Sequence, residues 1–405
     1  PSEPLLFGMM LLLVFKFIRE GGIERKFFNH PVSLLIAFHL VWMVITTITS
    51  SMLMVSFKYT VARFTFILVC YYYAGILFSK TKEITRFFWM YLSVFLGVVA
   101  YTIINHGLHF FTEQAAHTVM TPFYNDHTAY AAAIALFMPL TISVVFCNAF
   151  KPGYRAWSLI VFIILAVAIV LSYTRASWIG LAAAFAAAFI FIFRISGKLI
   201  WSVAGIIVIY LAINGSDIFV NLETNREQSS TDFASHFQSM TNVKTDPSNV
   251  ERLNRWSCAL RMFQDKPYTG YGPGTYQFIY GNYQLNWQRT VISTNAGNRG
   301  NAHSEYLGPL SEQGLPGPLF FIAIALATII TASRFIISTR DKKLRAIAIG
   351  LLLGLVTYWV HGFLNNFLDT EKLSVPYWGF IAAIVALDVY ARQQIDNKTF
   401  YGTNL

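Results

Sequence analysis

The sequence has little charge and few cysteines. Of its 405 residues only 12% are Asp, Glu, Lys or Arg, whereas 55% are hydrophobic. Soluble domains carry about a quarter charged residues, so a soluble fold of this length would lack the polar surface to cover itself. The three cysteines (Cys70, Cys147 and Cys258) lie far apart without CxxC spacing, which suggests neither a disulfide framework nor a thiolate metal site. These shortages predict a polytopic membrane protein.

The sequence also lacks the motifs of several enzyme classes. It has no HExxH zinc pattern, no Walker loop, no GxSxG elbow and no glycine fingerprint between a strand and a helix. The DxD or paired-acid motif of metal-dependent glycosyltransferases is missing as well, and the glycine-rich "GYGPGTY" reads as a turn. Redox, nucleotide and metal chemistry are therefore poorly supported, and we expect neither a metal nor a cofactor.

What the sequence does contain is a series of apolar stretches of helical length. They predict an all-α bundle of about 11–12 transmembrane helices: eleven runs are present, and a twelfth would have to lie upstream of the first residue. The eleven runs are 4–18, 32–55, 61–79, 87–105, 128–149, 156–173, 177–193, 199–213, 316–333, 346–364 and 374–390.

Positive charge predicts the orientation of these runs. Connections after the odd-numbered runs hold 17 Lys and Arg residues, whereas the short connections on the other side hold four: Lys58, Arg63, Arg175 and Lys372. Because cytoplasmic loops are enriched in Lys and Arg, the first side is predicted to be cytoplasmic. The net charge of +10 then reflects membrane anchoring, and we expect no nucleic-acid partner.

One long polar insertion interrupts the series on the non-cytoplasmic side. It divides the chain into N-terminal membrane helices (1–214), a loop region (215–302) and C-terminal membrane helices (303–405). Within the insertion, "NVERLNRWSCALRMFQDKP" has the 3–4 residue apolar spacing of a helix. A region this long on one face of a bundle is the best location for a function.

Basic residues on this outward side are unusual, because the side otherwise avoids positive charge. Arg175 lies in a very short connection and either reaches to the interface or binds an anion such as a diphosphate. Arg252 and Arg255 share one face of the predicted loop helix, which is either a solvated basic helix or a second anion site.

His303 precedes the ninth apolar run in "GNAHSEYLGPLSEQGLPGPL". A neutral histidine at the interface suits a general base for a hydroxyl nucleophile, although a lone histidine is more often structural. Glu305 and Tyr306 could orient it, or Glu305 could be an ordinary first-turn acid, which is the interpretation we favour for Glu312. His361, Asn365 and Asp369 form a further stripe, explained equally by helix packing and by catalysis.

The ordered motifs resemble a known family. "SYTRASWIGLAAAF", "ERLNRWSCALRMFQDKPYTGYGPGTY" and "NAHSEYLGPLSEQGLPGPLFF" are similar to the core of the O-antigen ligase superfamily, which includes O-antigen polymerases and bacterial O-oligosaccharyltransferases. The flanking "NDHTAYAAAIALFMPL" and "HGFLNNFLDTEKLSVPYWGFIAA" extend the similarity to roughly residues 120–390.

The resemblance implies a GT-C-like, metal-independent glycosyltransferase of the bacterial inner membrane, with its active site facing the periplasm. Its donor would be a glycan on undecaprenyl diphosphate, held by Arg175 and by Arg252 or Arg255. His303 matches the family's proposed base, supported by Glu305 and Tyr306. The mechanism expected is direct, inverting displacement without a covalent glycosyl-enzyme.

Several functions remain open at this point. The expected acceptor is lipid A–core oligosaccharide, but a glycan repeat or an exported protein would use the same chemistry. A transporter or flippase for lipid-linked sugars is the competing class, favoured by broken helices with ionisable residues near mid-span. The apolar runs are nearly uninterrupted, which disfavours transport.

Overall fold

The chain is helical throughout the part that the structure describes. The computed structural model describes residues 2–20, 25–192, 247–285 and 300–391, and these residues contain no strand. The first helices are α1 (Ser2–Glu20), α2 (Arg25–Phe28), α3 (Pro31–Ile48), α4 (Leu53–Leu77), α5 (Thr81–Leu108), α6 (Glu113–Ala116), α7 (His127–Phe146), α8 (Pro152–Leu171) and α9 (Arg175–Ile192). The remaining helices are α10 (Pro247–Asp265), α11 (Tyr276–Ile279), α12 (Leu307–Gln313), α13 (Pro316–Ser338), α14 (Lys342–His361) and α15 (Glu371–Tyr390).

The architecture confirms the predicted all-α polytopic membrane fold. Within the described residues, eight helices are long and apolar enough to cross a membrane, and two shorter apolar helices span Pro4–Lys16 and Arg175–Ile190. Ten of the eleven predicted runs coincide with these helices, and the run at 199–213 lies outside the described residues. The predicted helix in the loop region is α10, which ends two residues before Pro267.

The second and third runs meet earlier than the sequence indicates. We expected a break after residue 55, but the chain turns at Thr49–Met52, where the Ser50 hydroxyl accepts the N–H of Met52 at 3.0 Å. Lys58 and Arg63 therefore lie inside α4 and not in a short connection. This correction places a half-buried arginine, Arg63, within a membrane-spanning helix.

Local chemistry sets where the helices begin. The carboxylate of Asp126 accepts the Thr128 N–H at 2.8 Å at the start of α7, and Asp341 caps α14 in the same way. Proline is the first residue of α3, α8 and α13, where its missing N–H costs no helical hydrogen bond.

Three helices form the centre of the bundle. About 72–89% of the membrane-length windows of α7, α14 and α15 is buried, against 28–39% for the other long helices, which expose apolar side chains to lipid. Small residues allow close contact: a Cβ added at Gly354 in α14 would lie 2.3 Å from the Leu136 carbonyl oxygen in α7. A Cβ added at Gly180 of α9 would likewise lie 2.7 Å from the Thr357 carbonyl oxygen of α14.

The bundle has two chemically different ends. At the end that we call the basic end, Cys147 contacts the Lys342 carbonyl and the Lys343 ammonium lies over Phe150, so two Lys- and Arg-bearing connections adjoin. At the opposite end, the site end, α9 begins and α14 finishes. The loop-region residues also pack here, because Ser51 donates its backbone N–H to the Tyr271 carbonyl at 3.0 Å.

Candidate active site

His303 lies in the turn that precedes α12 at the site end. Its backbone is in the left-handed region (φ 47°), a conformation that non-glycine residues adopt rarely and that clusters at functional sites. The side chain of Asn301 accepts the His303 N–H at 3.1 Å, and Ser304 Oγ accepts the N–H groups of Tyr306 and Leu307. These bonds hold the backbone of the turn that carries His303 in place ahead of the helix.

Electrostatics keep the His303 imidazole neutral. Burial lowers its pKa from 6.5 to about 3, the positive charges of Arg255 and Arg252 add to this effect, and a hydrogen bond to Asn365 opposes it. A neutral ring retains a lone pair, so His303 is in the form that a general base requires at physiological pH.

Arg252 lies among three histidines. Its charge interacts with His303 in the turn, with His127 at the start of α7 and with His361 at the end of α14. Elements far apart in sequence therefore converge on one guanidinium. Of the two loop-helix arginines that the sequence offered, Arg252 is the one whose charge reaches this whole group.

Arg255, one helical turn further along α10, has a structural environment. Its Nε donates to the Glu251 carboxylate at 2.9 Å, its Nη1 donates to the Asn301 carbonyl at 3.1 Å, and the guanidinium lies 5.5 Å from the centre of the Tyr280 ring. Arg255 and Glu251 are both buried. Arg255 thus fixes the backbone that leads into His303.

Arg175 is the first residue of α9 and is half-buried at the site end. Two residues later, Ser177 Oγ lies 3.3 Å from His361 Nδ1, so the first turn of α9 contacts the end of α14. The amino end of α9 adds the partial positive charge of a helix terminus to that of Arg175.

The structure gives Glu305 a different role from the one expected. Its carboxylate does not turn to His303: Oε1 accepts the N–H groups of Phe367 and Leu368, each at 2.9 Å, and the Tyr358 hydroxyl at 2.6 Å. Burial raises the pKa of this carboxyl, and Arg63 opposes the shift. Glu305 therefore anchors the α14–α15 connection.

Tyr306 also contributes packing. Its hydroxyl donates to the Trp359 carbonyl at 3.0 Å, and its ring stacks on Phe363 with centroids 4.0 Å apart. These contacts join the start of α12 to the end of α14, so Tyr306 orients the turn as a whole and not the imidazole alone.

Glu312 was interpreted from the sequence as a first-turn acid, and that interpretation is wrong. It lies in the last turn of α12, buried, and accepts the Tyr276 N–H at 2.9 Å. Burial raises its pKa to about 7, against the effect of the Tyr276 and Gly274 N–H groups. The prediction failed because the helix begins only at Leu307 and ends at Gln313, which puts Glu312 beside the loop region.

The polar stripe at the end of α14 separates into two sites. The helix ends at His361, so Asn365 follows in a turn, where its Nδ2 lies 3.1 Å from His361 Nε2. Asp369 faces elsewhere: its Oδ1 accepts the Tyr59 hydroxyl at 2.8 Å and lies 3.3 Å from Arg63. The regular spacing of the stripe predicted that Asn365 lies near His361. It did not indicate that Asp369 belongs to a different site.

Arg63 is the residue that sequence reasoning missed. It donates to the Leu368 carbonyl and forms ion pairs with Asp369 and, at 3.9 Å, with Glu305. An ionisable residue inside a membrane helix is costly and needs such partners. Sequence reasoning assigned Arg63 to a short connection, so an ionisable residue inside a membrane helix was not recognised.

No group of three or more His, Cys, Asp or Glu side chains suited to a metal ion occurs among residues 2–20, 25–192, 247–285 and 300–391. The donors gathered at the site end are instead guanidinium groups, imidazoles and amides. Such a set can bind an anion and move a proton.

Fold and site together define a multi-pass membrane protein with an arginine–histidine site at one end of its bundle. The sequence profile of the O-antigen ligase family matches residues 160–322, which include Arg175, Arg252 and His303. This part of the chain is similar to that family, which confirms the predicted resemblance. A search of curated proteins found no match. The family supports a membrane glycosyltransferase of the O-antigen ligase or polymerase type.

Proposed function

We propose that the protein transfers a glycan from undecaprenyl diphosphate to an acceptor hydroxyl at the periplasmic face of the bacterial inner membrane, most simply to lipid A–core oligosaccharide. The observation that carries the proposal is the neutral His303 beside Arg252, within the segment that matches the family. One group can accept a proton and the other can bind a diphosphate.

In the proposed reaction, the acceptor oxygen attacks the anomeric carbon as the bond to the diphosphate oxygen breaks. His303 takes the proton of the attacking hydroxyl, which is too weakly acidic to react unaided. Arg252 and Arg175 bind the leaving diphosphate and neutralise the charge that grows on it. The displacement inverts the anomeric centre, and the arginines make a metal ion unnecessary in this scheme.

The orientation and the domain division belong to the same proposal. The site lies at the end of the bundle opposite Lys342, Lys343 and their neighbours, and Lys and Arg favour the cytoplasmic side. We therefore assign the site end to the periplasm. The chain, which we propose to be GT-C-like as a whole, is divided at 214 and 302 into two helical parts and a periplasmic loop region.

A polymerase that extends glycan repeats, or a protein O-oligosaccharyltransferase, would use the same donor and the same residues. These alternatives differ from the ligase only in the acceptor. A flippase differs in that no glycosidic bond forms, so the product of a reaction with purified donor separates all of these functions.

The test is turnover of purified protein in nanodiscs with lipid-diphosphate-linked glycan and separate lipid A–core, glycan and peptide acceptors. We expect His303→Ala to lower kcat by about 10²- to 10⁴-fold, the usual contribution of a general base. His109→Ala, an exposed histidine outside the cluster, is the matched control and should be unaffected. Full turnover by His303→Ala would remove the base from the proposal, and glycan movement without transfer would favour the flippase.

A further inference from the structure

Arg63 is a charged residue inside α4 that the proposed reaction does not use. Its side chain is 13% exposed, and its Nη2 lies 3.3 Å from Asp369 Oδ1 and 3.9 Å from Glu305 Oε2. Its Nη1 donates to the Leu368 carbonyl. A charge within a membrane helix is energetically costly and by default indicates a function. Here its partners lie in the α14–α15 connection and in the turn that carries His303, so Arg63 joins α4 to both.

Glu305 holds that turn to the α14–α15 connection at two places. Its backbone N–H donates to the Gly362 carbonyl at 2.8 Å, where the connection begins. Its carboxylate oxygen Oε1 accepts the N–H groups of Phe367 and Leu368, each at 2.9 Å, near the other end of the connection. Glu305 is 3% exposed, so water does not replace a bond that is lost. Because Arg63 binds the carbonyl of Leu368 and Glu305 binds its N–H, the two charged groups hold the same segment.

The backbone of His303 needs support from its neighbours. Its φ of 47° lies in the left-handed region, which a non-glycine residue keeps only where the surrounding structure holds it there. Before His303, the Asn301 side chain accepts the His303 N–H at 3.1 Å, and the Asn301 carbonyl accepts Arg255 Nη1 at 3.1 Å. Two residues after His303, Glu305 supplies the bonds to the α14–α15 connection. The strained residue is therefore fixed on both sides.

The charge of Arg63 keeps Glu305 in the form that makes these bonds. An ionised carboxylate only accepts hydrogen bonds, and its bonds to backbone N–H groups are about twice as strong as those of a neutral acceptor. Burial raises the pKa of the Glu305 carboxyl, and the positive charge of Arg63 is the largest effect that opposes this shift. Without Arg63, the carboxyl would be a weaker anchor for the connection.

We propose that Arg63 is a positioning residue, which acts through Glu305 to hold the turn that carries His303 in the geometry that the reaction requires. The inference rests on the proposed function, in which His303 is the base. A displacement of about 1 Å at a reacting group can cost about 10²-fold in rate. Because α4 precedes the segment 160–322 that matches the family, the N-terminal helices would contribute to the site as well.

The experiment compares Arg63→Met, Arg63→Lys and Glu305→Gln in the nanodisc assay, with unfolding temperature and donor affinity measured for each. We expect Arg63→Met and Glu305→Gln to lower kcat by about 10- to 100-fold while donor affinity stays nearly unchanged. Arg63→Lys keeps the positive charge and should recover part of the lost kcat. Lys58→Met removes a positive charge from an exposed position on the same helix, so it is the matched control and should be unaffected.

A double-mutant cycle with His303→Ala separates positioning from a merely structural role. If Arg63 acts through His303, Arg63→Met should cause little further loss of kcat in protein that already carries His303→Ala. A merely structural role would lower activity by the same factor in both backgrounds.

Three results would overturn the inference: equal losses in the two backgrounds, full kcat in both Arg63→Met and Glu305→Gln, or failure of both variants to fold. If only Arg63→Met fails to fold, Glu305→Gln takes its place in the cycle, because it retains the shape of the side chain. Full turnover by His303→Ala alone would instead refute the proposed function, so the two failures are distinguishable.

Discussion

At the scale of single residues, two arginines one turn apart on α10 have different surroundings. Arg255 is paired with buried Glu251 and bonded to the backbone before His303. Arg252 is half-buried, and its charge acts on three histidines. Residue type and spacing alone made the two arginines equivalent candidates. Their environments assign a structural role to Arg255 and favour substrate binding by Arg252.

We therefore expect opposite effects from the two alanine substitutions. Arg255→Ala removes the guanidinium that binds the buried Glu251 carboxylate, which should destabilise the fold by about 3 kcal/mol. Arg252→Ala should leave the unfolding temperature nearly unchanged but weaken donor binding by at least about tenfold, because a charge-assisted bond to phosphate is lost. Thermal unfolding measures the stability of each variant, and donor titration measures its affinity for the donor.

The double variant Glu251→Gln/Arg255→Gln controls for the pair. It removes both charges and should unfold at a higher temperature than Arg255→Ala. Equal destabilisation by Arg252→Ala and Arg255→Ala would contradict the assignment of separate roles.

At the scale of elements, the position of the site depends on how closely the central helices pack. Gly354 of α14 lies against the α7 backbone, and Gly180 of α9 lies against the backbone of α14. These contacts fix the ends of α14 and α9, where His361 and Ser177 meet. Close backbone approach through small residues is a common means of association between membrane helices.

Gly354→Ala should separate α7 from α14, because its Cβ would lie 2.3 Å from the Leu136 carbonyl oxygen. We expect destabilisation of about 1–3 kcal/mol, the usual cost of overpacking, and a lower kcat from the displaced His361. Gly97→Ala in α5 is the matched control, since no heavy atom lies within 4 Å of its added Cβ. The two variants are compared by their unfolding temperatures in the same detergent. Similar unfolding temperatures would contradict the packing argument.

At the scale of the whole molecule, the two ends of the bundle carry different side chains. The basic end carries Lys342 and Lys343 beside the α7–α8 connection, and the site end carries the arginines and histidines of the candidate active site. The proposed orientation places the site end on the periplasmic side, where the lipid-linked donor and the acceptor would meet.

Cysteine labelling tests this orientation. Phe110 is 89% exposed between α5 and α6, at the site end, whereas native Cys147 lies at the basic end. We expect a membrane-impermeant maleimide to label Phe110→Cys in intact spheroplasts and to reach Cys147 only after permeabilisation. The wild-type chain, in which Cys70 and Cys258 are buried, gives the background. The reverse pattern would invert the proposed topology.

Much of the fold could be predicted from the sequence because its signals are local. An apolar run of about 20 residues forms a helix in lipid whatever its neighbours, since its backbone must satisfy its own hydrogen bonds. Ten of the predicted runs are helices for this reason. The break at Thr49–Met52 was misplaced because it contains neither glycine nor proline, and its hydroxyl residues Thr49, Ser50 and Ser51 were counted as part of the run at 32–55.

The sequence by itself determined the helical membrane fold, the charge difference between the two ends and the family motifs with Arg175, Arg252 and His303. Tertiary structure alone decided that Arg255 pairs with Glu251, that Glu305 holds the α14–α15 connection and that Asn365 binds His361. The reason is physical: helix formation depends on neighbours within a few residues, whereas the partners of a buried polar group come from wherever the packed chain brings a matching donor or acceptor.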